Sequence, residues 1–378
     1  MSTVFIGATI YSGETVIDNG YIRFDETIQE VGPMTEYEEQ DNDKIIDVTN
    51  KKIIPGFIDI HSHGGYGIDN MDADPEKINQ MVDEFLNEGI TSYFATTMTQ
   101  TPENIEAALI AIKEAMKLND RILGIHVEGP FINVEYKGAQ SPDHIIPADV
   151  ELMKKWQELS GGAIRLVTYA PEQENVESFE KYCLSEDIVL SAGHSAAVYS
   201  ELKESSATHI THLFNGQRGL HHREPGVAGY GLLEGNVMVE MIVDGHHIDH
   251  KMVDFAYRIK GAEGIVLITD SMRAKGLPDG VSELGGQKVI VKDATARLEN
   301  GSLAGSALTF IDAFRNMIEF TNCSIEEVVL MSSTNQAKEF NLATKGLLKP
   351  NYDADFLVLD HNLNLEQTIY GGQVHQCQ

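Results

Sequence analysis

The chain has 378 residues, 42% of them hydrophobic and 23% charged, with 58 acidic against 28 Lys and Arg side chains and a formal net charge of −30. That length holds one large domain, with or without a small satellite, and that charge repels nucleic acid and anionic membranes, so neither is expected as a main partner. Apolar runs are short and broken by Gly, Asp or His, too short to span a bilayer, and the opening MSTVFIGATIYSGETVIDNG has no basic region leading into an apolar core, so no secretory signal is expected.

Residues 1–54 read as short β-like pieces separated by the turn signals Ser12-Gly13, Asp18-Asn19-Gly20 and Gly32-Pro33. Residues 346–378 read the same way. Neither end can bury a core alone, so the two are expected to pair into one small β-sandwich domain. The stretch between them, 55–345, alternates two kinds of segment. Short β-branched runs fall at 56–63, 91–97, 122–129, 163–170, 188–195, 207–215, 237–245 and 264–271. Longer helix-like stretches lie between most of them. In 74–89, Pro75 stands near the first turn, Ile78, Met81, Val82, Phe85 and Leu86 repeat at helical spacing, and Gly89 ends the run. The stretch 101–117 behaves alike, with Thr101 as N-cap. Strands alternating with helices in this number predict an α/β fold, a (β/α)8 TIM-like barrel. Cys183, Cys323 and Cys377 are odd in number and far apart, which suits a reducing, cytoplasmic setting rather than a disulfide framework.

In such a barrel, chemistry gathers at the C-terminal ends of the strands. The first expected strand ends in His61 and His63, the third in Glu128, the fifth in His194 and the sixth in His212. The seventh ends just before His247, and the eighth ends in Asp270. Residues i and i+2 of a strand point to one side, so His61 and His63 can grip one ion together. Imidazole and carboxylate suit Zn²⁺, Fe²⁺ or Mn²⁺. Four histidines and two carboxylates exceed one tetrahedral site with an open position, and fit two ions sharing a bridging carboxylate better. His209 is expected to face away from His212, and His126 to support the ligands rather than join them. His221, His222 and Arg223 form one of the few basic clusters, and a guanidinium suits bidentate phosphate contact.

The stretches PGFIDIHSHGG, HVEGPFI followed by KGAQ, SAGHS, THLFNGQ, HHREPGVAG, VDGHHID, ITDSMRAKGLPDG, LAGSALT and ADFLVLD run through nearly the whole chain. In order and wording they resemble the amidohydrolase superfamily, and within it the N-acetylglucosamine-6-phosphate deacetylase family. The resemblance implies a metal-dependent hydrolase that removes the acetyl group of a sugar phosphate. It implies His61 and His63 on one metal with Asp270 nearby, and Glu128 bridging to a second metal held by His194 and His212. Asp270 would be the catalytic acid and base. Arg223 would reach the sugar phosphate in the neighbouring active site of a homodimer, with His247 close to that phosphate. Ala139, Asn215, Gly216, Leu303, Ala304 and Gly305 would line the sugar pocket.

Three departures bear on this. The H-x-H pair that some relatives lack is intact here, so two metals are expected. Gln140 stands where many relatives have a histidine that polarises the acetamide, which shifts that work to the metals. Asn215-Gly216-Gln217 replaces a more usual Asn-Ala-Met. An amidohydrolase acting on a cyclic amide is the nearest alternative. Many of those bridge their metals with a carboxylated lysine on the fourth strand, and AIRLVTYA carries no lysine at its end. A non-catalytic sugar-phosphate binding barrel would be expected to have lost a ligand or the base, and neither is missing.

Overall fold

The computed structural model describes residues 2–377. It divides into two compact units. One takes Met1–Ile58, Glu84–Ser92 and Phe310–Gln378, and the other takes Asp59–Asp83 and Tyr93–Thr309.

In the first unit, eight strands from both chain ends form one sheet. The strand Thr3–Tyr11 runs antiparallel to Val16–Phe24 and parallel to Lys44–Asp47 and Lys52–Pro55. Lys52–Pro55 pairs in turn with Phe356–Leu359 from the C-terminal segment. The expected joining of the two ends into one β-sandwich is therefore observed. Its core centres on Phe5, Phe24 and Phe356, which meet edge to face with centroids 4.9–5.9 Å apart. That is the arrangement the aromatic quadrupole favours.

The barrel sheet has eight neighbouring strands in chain order. They are β1 (Phe57–Ser62), β2 (Ile90–Thr97), β3 (Ile122–Glu128), β4 (Ile164–Tyr169), β5 (Val189–Ala192), β6 (His209–Ile210), β7 (Met238–Ile242) and β8 (Ile265–Ile268). The ladders from β2 to β8 are parallel. The two ends of the sheet meet where the Asp270 N–H donates to the His61 carbonyl at 2.8 Å. Seven helices fall between successive strands: α1 (Pro75–Glu84), α2 (Pro102–Leu118), α3 (Val150–Leu159), α4 (Val176–Ser185), α5 (Tyr199–Glu204), α6 (Gly226–Leu233) and α7 (His250–Lys260). In α2, Ile105, Ala108, Leu109, Ile112 and Ala115 form the buried stripe, and the Thr101 hydroxyl caps the first turn by accepting from Asn104 N–H. The sequence expectation of a (β/α)8 TIM-like barrel is met.

Two details differ from expectation. The run 207–215 holds only two residues of strand, because His212 and Phe214 take left-handed backbone with φ of 30° and 76° and leave the ladder. A three-stranded antiparallel sheet, Gly280–Leu284, Gln287–Lys292 and Thr295–Leu298, follows β8. Its inward residues Leu284, Val289, Val291, Ala296 and Leu298 pack with Met98, Met272 and Ala304.

Candidate active site and metal centre

His61 in β1 and His63, the residue just past the end of that strand, are both buried, with ring centroids 5.5 Å apart. Glu128, at the end of β3, stands at the centre of the group. Its Oε2 lies 3.1 Å from His63 Nε2, and its Oε1 lies 3.1 Å from the Nε2 atoms of both His194 and His212. Asp270 Oδ1 is 3.5 Å from His61 Nε2 and 3.4 Å from His63 Nε2. Six residues from β1, β3 and the segments after β5, β6 and β8 thus converge. His194, His212 and Asp270 all have positive φ, at 48°, 30° and 46°. Residues with a Cβ enter that region only when their surroundings hold them there.

The hydrogen bonds set which ring nitrogens face the cluster. His194 Nδ1–H donates to the Tyr136 carbonyl at 2.8 Å. In the neutral ring this leaves a lone pair on Nε2, aimed at a carboxylate oxygen and at His212 Nε2, each 3.1 Å away. Lone pairs so placed repel unless a proton or a cation sits among them. Three ligand atoms at 3.1 Å spacing share a centre within reach of a divalent ion, for which Zn–N bonds are about 2.0–2.1 Å. His61 repeats the pattern. Its Nδ1–H donates to Glu240 Oε2 at 2.8 Å, and its buried Nε2 has no hydrogen-bond partner. Among the described residues three groups, His61–His63–Glu128, Glu128–His194–His212 and His61–His126–Glu240, each hold ligand atoms within 4.8 Å of one another, and the first two share Glu128. The donor set fits divalent metal.

Electrostatics point the same way. Burial alone would lower His61, but Glu240, Asp270 and Glu128 push it up to about 9. His63 is raised to about 10 by Asp270 and Glu128 against the same burial. Burial would lift Glu128 and Asp270, yet the surrounding imidazoles hold Glu128 well below the usual carboxylate range and Asp270 below it too. The pocket demands positive charge, as protons or as metal.

A cavity of about 240 Å³ opens onto this cluster. His63, Glu128, His194, His212 and Asp270 line it, and so do Ala139, Gln140, Asn215, Gly216, His247, Leu303 and Gly305. Gly216 has φ 54°, and a Cβ there would come within 2.8 Å of His194 Nδ1, so the backbone can pass this close only as glycine. Gln140 is fixed by two bonds: its Nε2 donates to Glu128 Oε2 at 2.6 Å, and its Oε1 accepts from Thr99 N–H at 2.8 Å. His247 Nδ1 is held by Asp244 at 2.6 Å.

Two expected residues lie outside the cavity lining. Ala304 is buried in the apolar cluster beneath the three-stranded sheet. Arg223 is exposed and donates to His222 Nε2 at 2.8 Å. His209 and His126 keep out of the central group. His209 Nε2 meets Glu240 Oε1 at 3.2 Å, and His126 Nε2 meets Thr168 Oγ1 at 2.7 Å.

Sequence reasoning missed Glu240 and Asp59. Glu240 is fully buried in β7 and bonds His61. Asp59 is buried one alternation before His61; it accepts from His61 N–H at 3.2 Å and from Thr269 Oγ1 at 2.6 Å. Burial lifts Asp59 to about 6 against the charge of Lys275. The available signal was an acid inside an apolar run, VMVEMIV and GFIDI.

Comparison with known proteins agrees with this geometry. The model of the Amidohydrolase family matches residues 53–375. An N-acetylglucosamine-6-phosphate deacetylase of Lysinibacillus sphaericus is 44% identical over 86% of both chains. That of Bacillus subtilis (strain 168) is 40% identical over 97% of this chain and 95% of its own. Among solved structures, a mutant of the Mycobacterium smegmatis N-acetyl-D-glucosamine-6-phosphate deacetylase, in complex with N-acetyl-D-glucosamine-6-phosphate, superposes with a TM-score of 0.94 at 27% identity, over 99% of each chain. With these matches spanning almost its whole length, the chain belongs to the amidohydrolase family.

Proposed function

We propose that this chain hydrolyses the acetamide of N-acetyl-D-glucosamine 6-phosphate, giving D-glucosamine 6-phosphate and acetate, in amino-sugar catabolism or cell-wall sugar recycling. It is a carbon–nitrogen hydrolase acting on a linear amide. The observation that carries the reading is a converged carboxylate–histidine cluster, opening onto a cavity, in a chain 40–44% identical to deacetylases of that sugar phosphate.

His61, His63, Glu128, His194, His212 and Asp270 are the residues that would hold the metal, with two ions per chain. Zn, Fe and Mn all suit these ligands, with availability deciding among them. Bound there, metal lowers the pKa of a water toward neutrality and polarises a carbonyl oxygen. The chain supplies the remainder. Asp270 Oδ1 faces the cluster and lines the cavity; it takes the proton from the attacking water and returns it to the departing amine. Gln140 steadies Glu128, and Asn215, Gly216 and Leu303 shape the sugar pocket so that the acetamide meets the cluster. His247 contacts the substrate near its phosphate. Arg223, solvent-exposed within one chain, serves the phosphate of the neighbouring site in a homodimer. Among the described residues no helix is long and apolar enough to cross a membrane, and three free cysteines support a cytoplasmic setting.

The test is acetate release from N-acetylglucosamine 6-phosphate, with the unphosphorylated sugar as control and metal measured in the same preparation. Turnover confined to the phosphorylated sugar, with near two metal equivalents, is expected. No turnover by fully metallated protein would remove the reading.

A further inference from the structure

We propose that Glu240 is a positioning residue that sets the ligand faces of both histidine groups through one carboxylate. The inference rests on the metal-centre reading above.

Glu240 lies in the middle of β7 and is 0% exposed. A carboxylate so buried persists only when it is fully paired. Its Oε2 accepts from His61 Nδ1–H at 2.8 Å and from the His212 main-chain N–H at 3.0 Å, while Oε1 faces His209 Nε2 at 3.2 Å. Each contact with Oε2 has a consequence for the site. The first selects the His61 tautomer, since a proton kept on Nδ1 leaves Nε2 as the nitrogen facing Glu128 and Asp270. The second holds the main chain of His212, whose φ of 30° is unfavourable for a residue with a Cβ. His61 belongs to the His63–Glu128 group and His212 to the Glu128–His194 group. A single oxygen on β7 therefore braces one member of each. His209, shortly before His212 in the chain, completes the pairing of the carboxylate at Oε1.

Two substitutions separate placement from charge. Glu240→Gln can put its amide oxygen where Oε2 stands, keeping both bonds while removing the charge. Glu240→Asp keeps the charge but withdraws the oxygens by one methylene. The metal-stripped full-length chains would be titrated with Zn²⁺ against a chromophoric chelator, with circular dichroism of the stripped proteins recorded first. Glu240→Gln is expected to bind within about threefold of wild type, and Glu240→Asp about 10- to 100-fold more weakly, as for partners of metal-bound histidines. Wild-type affinity in Glu240→Asp, or equal weakness in both variants, overturns the assignment. If Glu240→Asp fails to fold, ¹⁵N spectra of His61 in zinc-loaded wild type and Glu240→Gln decide. A proton on Nδ1 in both supports the role, and metal on Nδ1 in either overturns it. A wild-type chain that binds no divalent ion removes the metal-centre reading itself and the assignment with it. A wild-type chain that binds, beside an equally tight Glu240→Asp, removes the assignment alone.

Discussion

The Nε2 atoms of His194 and His212 lie 3.1 Å apart, each 3.1 Å from Glu128 Oε1. Two imidazole nitrogens and a carboxylate oxygen hold such a triangle only with a proton or a cation among them. His212→Ala removes one vertex and leaves His61, His63 and Glu128 in place. It is expected to lower affinity for the metal at that vertex by at least about 10- to 100-fold, the cost of losing even an outer partner of a ligand. Metal analysis after dialysis should show about one equivalent lost, with deacetylation falling alongside. Unchanged metal content would sink the assignment of His212.

Asp270 Oδ1 lies 3.5 Å from His61 Nε2 and 3.4 Å from His63 Nε2 and lines the cavity, so its loss should separate chemistry from binding. Asp270→Asn keeps the size and one oxygen of the side chain but cannot accept a proton at neutral pH. Turnover is expected to drop by about 10²- to 10⁴-fold, the usual worth of a general acid–base. KM for the sugar phosphate should move little, because the phosphate and ring contacts are elsewhere. Steady-state kinetics on metal-analysed protein decides this, and near-normal kcat would overturn the role.

The readability of this site in sequence has physical causes. His61 and His63 could be read because a strand has a period of two and the apolar run stops at them. Glu128 and Asp270 could be read because barrel chemistry sits at strand ends. Glu240 could not, because β7 is buried on both faces and its run does not alternate. What orients Glu240 is His61, 179 positions away. The shortfall of strand around His212 came from a left-handed backbone that no propensity scale anticipates. The outer sheet Gly280–Leu298 has a half-buried middle strand, QKVIVK, whose alternation is plain. It lies beyond the eighth expected strand, outside the barrel alternation.

Lys345 offers a test of stability away from the site. Its ammonium pairs with Asp353 at 2.9 Å and with Asp355. Burial raises Asp355 even against the charge of Lys345, and burial of Lys345 is outweighed by the two carboxylates. Lys345→Met leaves the buried Asp355 without its cation, a change expected to cost about 3 kcal/mol. Urea denaturation at neutral pH measures it. The deficit comes from the ionised Asp355 carboxylate left without its cation, so it grows with the ionised fraction of that group. It narrows as the pH falls through the raised Asp355 pKa, because protonation removes the uncompensated charge. A deficit that widened on acidification would contradict this account.

Arg223 is exposed in its own chain and outside the cavity lining, while the expected substrate carries a phosphate. If it serves the neighbouring subunit, its loss weakens binding without touching the chemistry. Arg223→Ala should raise KM for the phosphorylated sugar by roughly 10- to 100-fold, the worth of a charge-assisted hydrogen bond, with kcat nearly unchanged. Mixing separates the two possible arrangements. In a dimer of one Arg223→Ala chain and one Asp270→Asn chain, one site would have its own Asp270 and its partner's Arg223. Random exchange would then restore about a quarter of all sites, assayed at substrate well below KM, where each parent alone is nearly silent. An arginine that serves its own subunit yields no such recovery, because every site would then lack either Arg223 or Asp270. The mixed preparation therefore tests the dimer and the phosphate contact together, and a flat mixing curve beside a raised KM would keep the phosphate role while removing the shared site.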